Sequence, residues 1–203
     1  MKIICIGRNY IDHAKELNNA VPDEPVFFMK PETSLLRNNE AFYLPDFSED
    51  MQYELELVIK INKVGKFISK EFAPRYYDEI GLGIDFTARD VQRKLKEKGL
   101  PWEKAKAFDH SSPISKEFVK KTDLDLKNID FRLDINGKTV QKGNSKNMIF
   151  DFDTIISYVS GFITFKIGDL IYTGTPAGVG KVNIGDRLEA YLNEKKMFDF
   201  YIK

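Results

Sequence analysis

With 203 residues, 42% of them hydrophobic and 31% charged, the chain has the composition of a globular protein long enough to bury a sizeable core. Lys+Arg 31 and Asp+Glu 31 cancel, and no Lys/Arg run stands out, which excludes the electrostatic footprint of a nucleic-acid partner. The single cysteine excludes an internal disulfide, the N-terminal apolar run is too short for a secretory core, and no window approaches a membrane span.

These features predict a soluble, cytoplasmic protein with no membrane partner, forming one domain over residues 1–203. Residues 2–6 form a short apolar strand ending at Gly7, with Cys5 as small core filler. Residues 8–17 follow as a turn feeding a short helix. On it His13 and Glu16 stand three apart and share a face. A carboxylate beside an imidazole holds the tautomer that takes a proton from water; an exposed i,i+3 ion pair is the competing reading. Residues 18–31 read as a proline-marked loop carrying a strand at 26–29. Lys30, Pro31, Thr33 and Ser34 are candidate site-edge residues. A second short strand is expected at 41–44.

The stretch 52–85 organises the chain. Leu55, Leu57, Ile59 and Ile61 fall at period two, the mark of a half-buried strand. The same pleat sets Glu54 and Glu56 side by side on the opposite face. Carboxylates that close repel unless a proton or cation sits between them, and a hard divalent ion is the natural occupant. Asp85, ending another apolar run, is a candidate third oxygen ligand. A solvent-exposed face is the competing reading. A turn at 63–66 and a short helix over 70–77 separate the two runs.

After Asp85 the sequence predicts a helix capped by Thr87 with Asp90 in capping-box spacing, ending near Lys98 before Gly99 and Pro101. Arg89 and Gln92 share a face where a donor pair suits a substrate carboxylate, whereas Arg93, Lys94 and Lys96 read as a solvated face. Residues 99–109 read as irregular; within them Lys106 sits between alanines beside Phe108, where a lysine is paired or functional. His110 reads as loop. Residues 130–135 and 138–141 flank Asn136-Gly137 in the pattern of a type I′ hairpin. A helix over 151–161 and strands at 170–173, 187–192 and 197–202 complete a β-rich α+β fold. The loop from Gly174 to Lys181 fails as a phosphate loop, having five residues before its Gly-Lys and Val182 after it, yet its amides and the Thr175 hydroxyl suit a small carboxylate.

Together, Gly7-Arg8-Asn9-Tyr10 with His13 and Glu16, Phe28-x-Lys30-Pro31, Glu54-x-Glu56, Asp85-x-Thr87-Ala88-Arg89-Asp90-x-Gln92, Lys98-Gly99-Leu100-Pro101-Trp102 with Ala105-Lys106, Met148-Ile149-Phe150, and Gly168-Asp169 through Gly174-Thr175-Pro176-x-Gly178-Val179-Gly180 resemble the fumarylacetoacetate hydrolase superfamily, in its small single-domain members. The resemblance spans almost the whole chain in order. It implies a mixed β-roll, a homodimer, and Mg²⁺ or Mn²⁺ held by Glu54, Glu56 and Asp85. It further implies a His13–Glu16 dyad on a lid helix and Lys106 near the metal. The implied activities are acylpyruvate hydrolysis, oxaloacetate decarboxylation, and related hydratase, isomerase and tautomerase reactions of 2-oxo acids.

These parts predict C–C bond cleavage through a pyruvate enolate whose charge a divalent ion absorbs. In that scheme His13, oriented by Glu16, activates water, Lys106 supports the enolate oxygen or delivers a proton, and Arg8, Arg89, Gln92 and Thr175 position the substrate. A non-catalytic module binding 2-oxo acids is the alternative of another class, but it has no use for His13, Glu16 and Lys106 together.

Overall fold

A computed structural model describes residues 1–16 and 20–203. Leu17, at the expected helix end, and Asn18 and Asn19, at the start of the expected loop, lie outside the described residues. The central sheet runs in the order Val26–Lys30, Ile3–Gly7, Leu170–Tyr172, Leu55–Ile61, Tyr77–Ile84, Val119–Lys120. Ile3–Gly7 and Leu170–Tyr172 are parallel, and the other neighbours are antiparallel. A four-stranded antiparallel sheet, Lys138–Asn144, Asp130–Ile135, Arg187–Leu192 and Lys195–Tyr201, packs beside it. A three-stranded sheet of Gly180–Lys181, Met51–Tyr53 and Thr87–Ala88, and a parallel pair, Leu35–Leu36 with Ser112–Pro113, complete the mixed architecture. The helices are short: α1 (Ile11–Glu16), α2 (Arg89–Glu97), α3 (Glu103–Lys106) and α4 (Phe152–Phe162). The β-rich α+β fold is therefore as the sequence predicts.

Leu55–Ile61 departs from the half-buried reading, because both its faces are covered and only Lys60 is exposed. Leu55, Leu57, Ile59 and Ile61 pack into the main core with Leu133, Leu188, Phe198 and the Ile155 and Ile156 side chains of α4. Val58, on the other face, joins a second core with Ile3, Cys5, Leu170 and Tyr172. Glu54 and Glu56 lie on that second face, toward its open end. Burial on both sides is what forces these carboxylates to find partners rather than water.

Several local expectations give way to tertiary contacts. The strand expected at 41–44 reduces to one parallel bridge from Phe42 to Ile202, with Leu44 donating to the Lys203 carbonyl. The helix expected over 70–77 is a 3₁₀ turn, Ala73–Tyr76, with Pro74 in its first turn. The capping box does not form: Thr87 belongs to a strand and donates to the Asp85 carbonyl, while Asp90 accepts from Ser48 Oγ and the Glu49 amide. The end of α2 follows the expectation, since Gly99 has φ +62° and Leu100 donates back to the Leu95 carbonyl. Asn136 and Gly137 both take positive φ, as a type I′ turn requires.

Candidate active site

Strand register assembles the acidic trio. Leu55 pairs with Ile84 and Glu56 with Gly83, so Asp85 falls beside Glu54, to whose carbonyl it donates its amide at 2.9 Å. One carboxylate oxygen from each of Glu54, Glu56 and Asp85 lies within 4.8 Å of the others, and all three residues are buried. Glu56 accepts the Gly174 amide at 2.8 Å. Gly174 has φ +101°, and a Cβ there would stand 2.6 Å from Asn9 Cβ, so only glycine brings this amide to the carboxylate.

Cations surround the trio. Lys106, buried at the end of α3, donates to Glu54 Oε2 and Asp85 Oδ2, each at 2.7 Å. Arg89 donates to the other Glu54 oxygen, and also to Gln52 and Gln92 at 2.7 and 2.8 Å. Lys30 Nζ meets Asp85 Oδ1 at 2.6 Å and donates to the Ser111 carbonyl and hydroxyl. Burial works against the Glu54 charge, but Lys106 and Arg89 outweigh it and hold its pKa well below the usual carboxylate range. Glu56 behaves oppositely: burial, then Asp85 and Glu54, push its pKa well up. Burial likewise opposes the Lys106 charge, and Asp85 and Glu54 more than restore it.

The group a site of this kind would take is a hard divalent ion. The fit is good, because the donors are all oxygen, buried and convergent. Asp85 Oδ1 is a buried oxygen without an aligned hydrogen-bond donor, as its contact with Lys30 is an ion pair off hydrogen-bond geometry. Glu54, Glu56 and Asp85 are the residues that would hold Mg²⁺ or Mn²⁺.

A narrow cavity of about 40 Å³ joins the trio to Arg8, His13, Arg89, Gln92, Lys106 and Thr175, with Phe28, Lys96 and Trp102 in its wall. Nine of the ten site residues predicted from the sequence line it. The tenth, Glu16, stands behind His13, its Oε2 3.2 Å from His13 Nδ1. Glu16 also accepts the Gly178 amide, which ties α1 to the 174–180 loop. Roomier surface grooves, one of about 540 Å³ beside Lys60, Glu79 and Lys121, hold no comparable metal-binding cluster among the described residues.

The geometry refines several roles. Arg89 gives three of its five N–H donors to Glu54, Gln52 and Gln92, and because Gln92 accepts through its amide oxygen, its NH₂ still faces a ligand as a donor. The Thr175 proton goes to the Leu55 carbonyl at 2.9 Å while Gln141 donates to its oxygen, which makes it a fixed wall rather than a mobile donor. Arg8 has φ 59°, a left-handed conformation uncommon outside glycine. Buried Asn9 holds that turn through the Phe150 amide and the Phe150 and Thr173 carbonyls. Gln52 and Ser111 carry no sequence signal, and Lys96 is exposed, as a solvated helix face predicts, yet also lines the cavity. The spacing of Arg89, Gln92 and Lys96 along one helix face was the signal available for Lys96.

Known proteins resemble this chain along nearly its whole length. The fumarylacetoacetate (FAA) hydrolase C-terminal family model matches residues 2–198. The chain is 42% identical over 189 residues to oxaloacetate tautomerase FAHD1, mitochondrial, of Arabidopsis thaliana, covering 93% of this chain and 85% of that protein. It is 44% identical over 185 residues to oxaloacetate decarboxylase, mitochondrial, of Dictyostelium discoideum, covering 91% and 85%. Among solved structures, fumarylpyruvate hydrolase from Pseudomonas aeruginosa in complex with Mn²⁺ and pyruvate superposes with a TM-score of 0.93 at 31% identity, covering 100% of this chain and 89% of that one.

Proposed function

Because the chain belongs to the fumarylacetoacetate hydrolase family and is an enzyme of it, we propose that it acts on small 2-oxo acids, with oxaloacetate as principal substrate and enol–keto tautomerisation as principal reaction. The observation that carries this reading is one buried cavity joining an acidic trio, a charged lysine and a carboxylate-backed histidine. The names of relatives above 40% identity support oxaloacetate over other 2-oxo acids.

Glu54, Glu56 and Asp85 would hold Mg²⁺ or Mn²⁺, which would supply positive charge to stabilise an enolate. Lys106, kept protonated by Asp85 and Glu54, has one N–H beyond the two it gives them and offers it to the substrate's 2-oxygen. His13 holds Glu16 on Nδ1, which leaves Nε2 as the atom that takes or returns a proton at C3. In tautomerisation His13 Nε2 takes the proton from the enol oxygen and returns one to C3, while the protonated Lys106 steadies the charge on that oxygen, so no water is consumed. Arg8 and Gln92 orient the carboxylates, while Phe28 and Trp102, in edge contact at 5.8 Å, shield the cavity from water.

A second reading has specific support in the decarboxylase and fumarylpyruvate hydrolase relatives: cleavage of a C–C bond through the same enolate. Decarboxylation needs no attacking water, whereas acylpyruvate hydrolysis uses His13 to activate one. The proposal includes a homodimer in the cytoplasm, checked by sedimentation and cell fractionation.

The test is purified protein with Mg²⁺, followed for loss of enol-oxaloacetate absorbance and for pyruvate release from oxaloacetate and acetylpyruvate. Accelerated enol loss without pyruvate supports tautomerase; pyruvate from either substrate supports cleavage. No acceleration above Mg²⁺ in buffer, for any substrate, overturns both readings.

A further inference from the structure

The rim of the cavity carries a feature that the acidic trio does not require. Arg89, Gln92 and Lys96 stand at i, i+3 and i+7 on α2 and so share one face, and all three line the cavity. Arg89 holds Glu54 at the floor. Lys96 stands about 10 Å farther along the helix axis at 1.5 Å per residue. Helical side chains lean toward the N-terminus, which carries the Lys96 stem back over Gln92. Its residue surface is exposed although it lines the cavity, as a rim position requires. Arg8 lines the same cavity from the Gly7–Asn9 turn, clamped by Asn9. Lys96 and Arg8 thus add two positive charges to the cavity wall besides Arg89 and Lys106 at its floor.

We propose that Lys96, together with Arg8, forms a subsite for the distal carboxylate of a dicarboxylic 2-oxo acid, making Lys96 a specificity-determining residue. The proposal rests on the reading of the floor as a 2-oxo-acid site. A four-carbon dicarboxylate carries one carboxylate to the floor and projects the other outward, toward the rim. A monocarboxylic 2-oxo acid has nothing to place there. Burial, and then the nearby charges of Arg8 and Arg89, press the Lys96 pKa below the ordinary lysine value with Glu54 opposing them, so a carboxylate arriving beside Lys96 and Arg8 meets a wall of net positive charge.

The single tryptophan, Trp102, lines the cavity and supplies a binding signal independent of turnover. The experiment titrates Mg²⁺-loaded protein with malate and with lactate, which differ only in the distal carboxylate, and reads Trp102 fluorescence. The wild-type protein is expected to bind malate more tightly. Lys96→Met should weaken malate about tenfold, to near the lactate value, and leave lactate within about twofold. Lys96→Arg, which keeps the charge, should retain the preference. Equal weakening of both ligands by Lys96→Met, or no change in either, overturns the proposal. A wild-type protein that prefers malate through Lys96 but does not turn over oxaloacetate would leave the subsite standing and remove the proposed reaction instead.

Discussion

Lys30 and Asp85 form a wholly buried ion pair, Nζ to Oδ1 at 2.6 Å, at the junction of the first strand pair and the acidic trio. Lys30 ends Val26–Lys30, pairs across to Ile3, and is fixed by the Ser111 carbonyl and hydroxyl. Removing one partner of a buried pair leaves the other charge uncompensated and costs about 3–5 kcal/mol. Lys30→Met is therefore expected to lose about 3 kcal/mol of stability, the low end because Lys106 still reaches Asp85. Saturating Mg²⁺ should recover part of this loss, since the ion would offset the same carboxylate. Urea unfolding with and without Mg²⁺ measures both effects, and a variant as stable as the wild type contradicts the pairing.

Glu56 is the member of the trio whose pKa rises, through burial first and then Asp85 and Glu54. Without metal the folded chain keeps a proton that an unfolded glutamate loses near pH ~4.3. The stability contributed by Glu56 is thus fully present below that unfolded value and is lost as pH rises through the folded one. A divalent ion expels the proton, so Mg²⁺ should raise Tm more at mildly alkaline than at mildly acidic pH. Glu56→Gln should erase this pH dependence and lower turnover beyond the roughly 100-fold that an outer-shell change costs. Thermal melts across pH, with and without Mg²⁺, decide it; a Tm increment that ignores pH would exclude Glu56 as a ligand.

The trio was legible because strand period two is a local property: Glu54 and Glu56 must share a face wherever Leu55 and Leu57 share the other. Asp85 was legible as a candidate third ligand at the end of its own apolar run, and the resemblance implied the same set of three. What stayed hidden depends on partners far along the chain. That both faces of Leu55–Ile61 are buried follows from the two side-chain cores, built from distant segments, that pack against them, which no local period encodes. Lys30 reaches Asp85 across 55 positions, and Gln52 reaches Arg89 across 37. The Thr87–Asp90 capping box failed for a related reason, since Ser48 and Glu49 took the Asp90 carboxylate for themselves.

His13 separates the two proposed chemistries. Its Nδ1 is held by Glu16, and Glu16 is held by the Gly178 amide, so the imidazole has one orientation toward the cavity. General acid–base groups contribute roughly 10²- to 10⁴-fold. His13→Gln is expected to slow tautomerisation and acylpyruvate hydrolysis by such a factor while sparing decarboxylation, which needs no base at C3 or water. Comparing pyruvate release from oxaloacetate and from acetylpyruvate in this variant measures the split. Equal loss in all three reactions would place His13 in binding rather than in proton transfer.

Gly174 carries the last expectation because backbone geometry and chemistry meet there. Its φ of +101° is strained for any L side chain, and an added Cβ would press on Asn9 Cβ at 2.6 Å and the Ile6 carbonyl at 3.3 Å. Neither neighbour can yield cheaply, since Asn9 is locked to Phe150 and Thr173 and Ile6 belongs to a central strand. Gly174→Ala should therefore cost at least the roughly 1–3 kcal/mol of a strained backbone. The amide that Glu56 accepts would shift with it, so Mg²⁺ affinity should fall in the same variant. Gly185→Ala is the control: it also has positive φ, at +93°, but no atom lies within 4 Å of its added Cβ. It should lose stability from strain alone and keep Mg²⁺ affinity, as calorimetric titration beside urea unfolding would show. If the two variants behaved alike, close approach to Asn9 would not be what holds the Glu56 carboxylate in place.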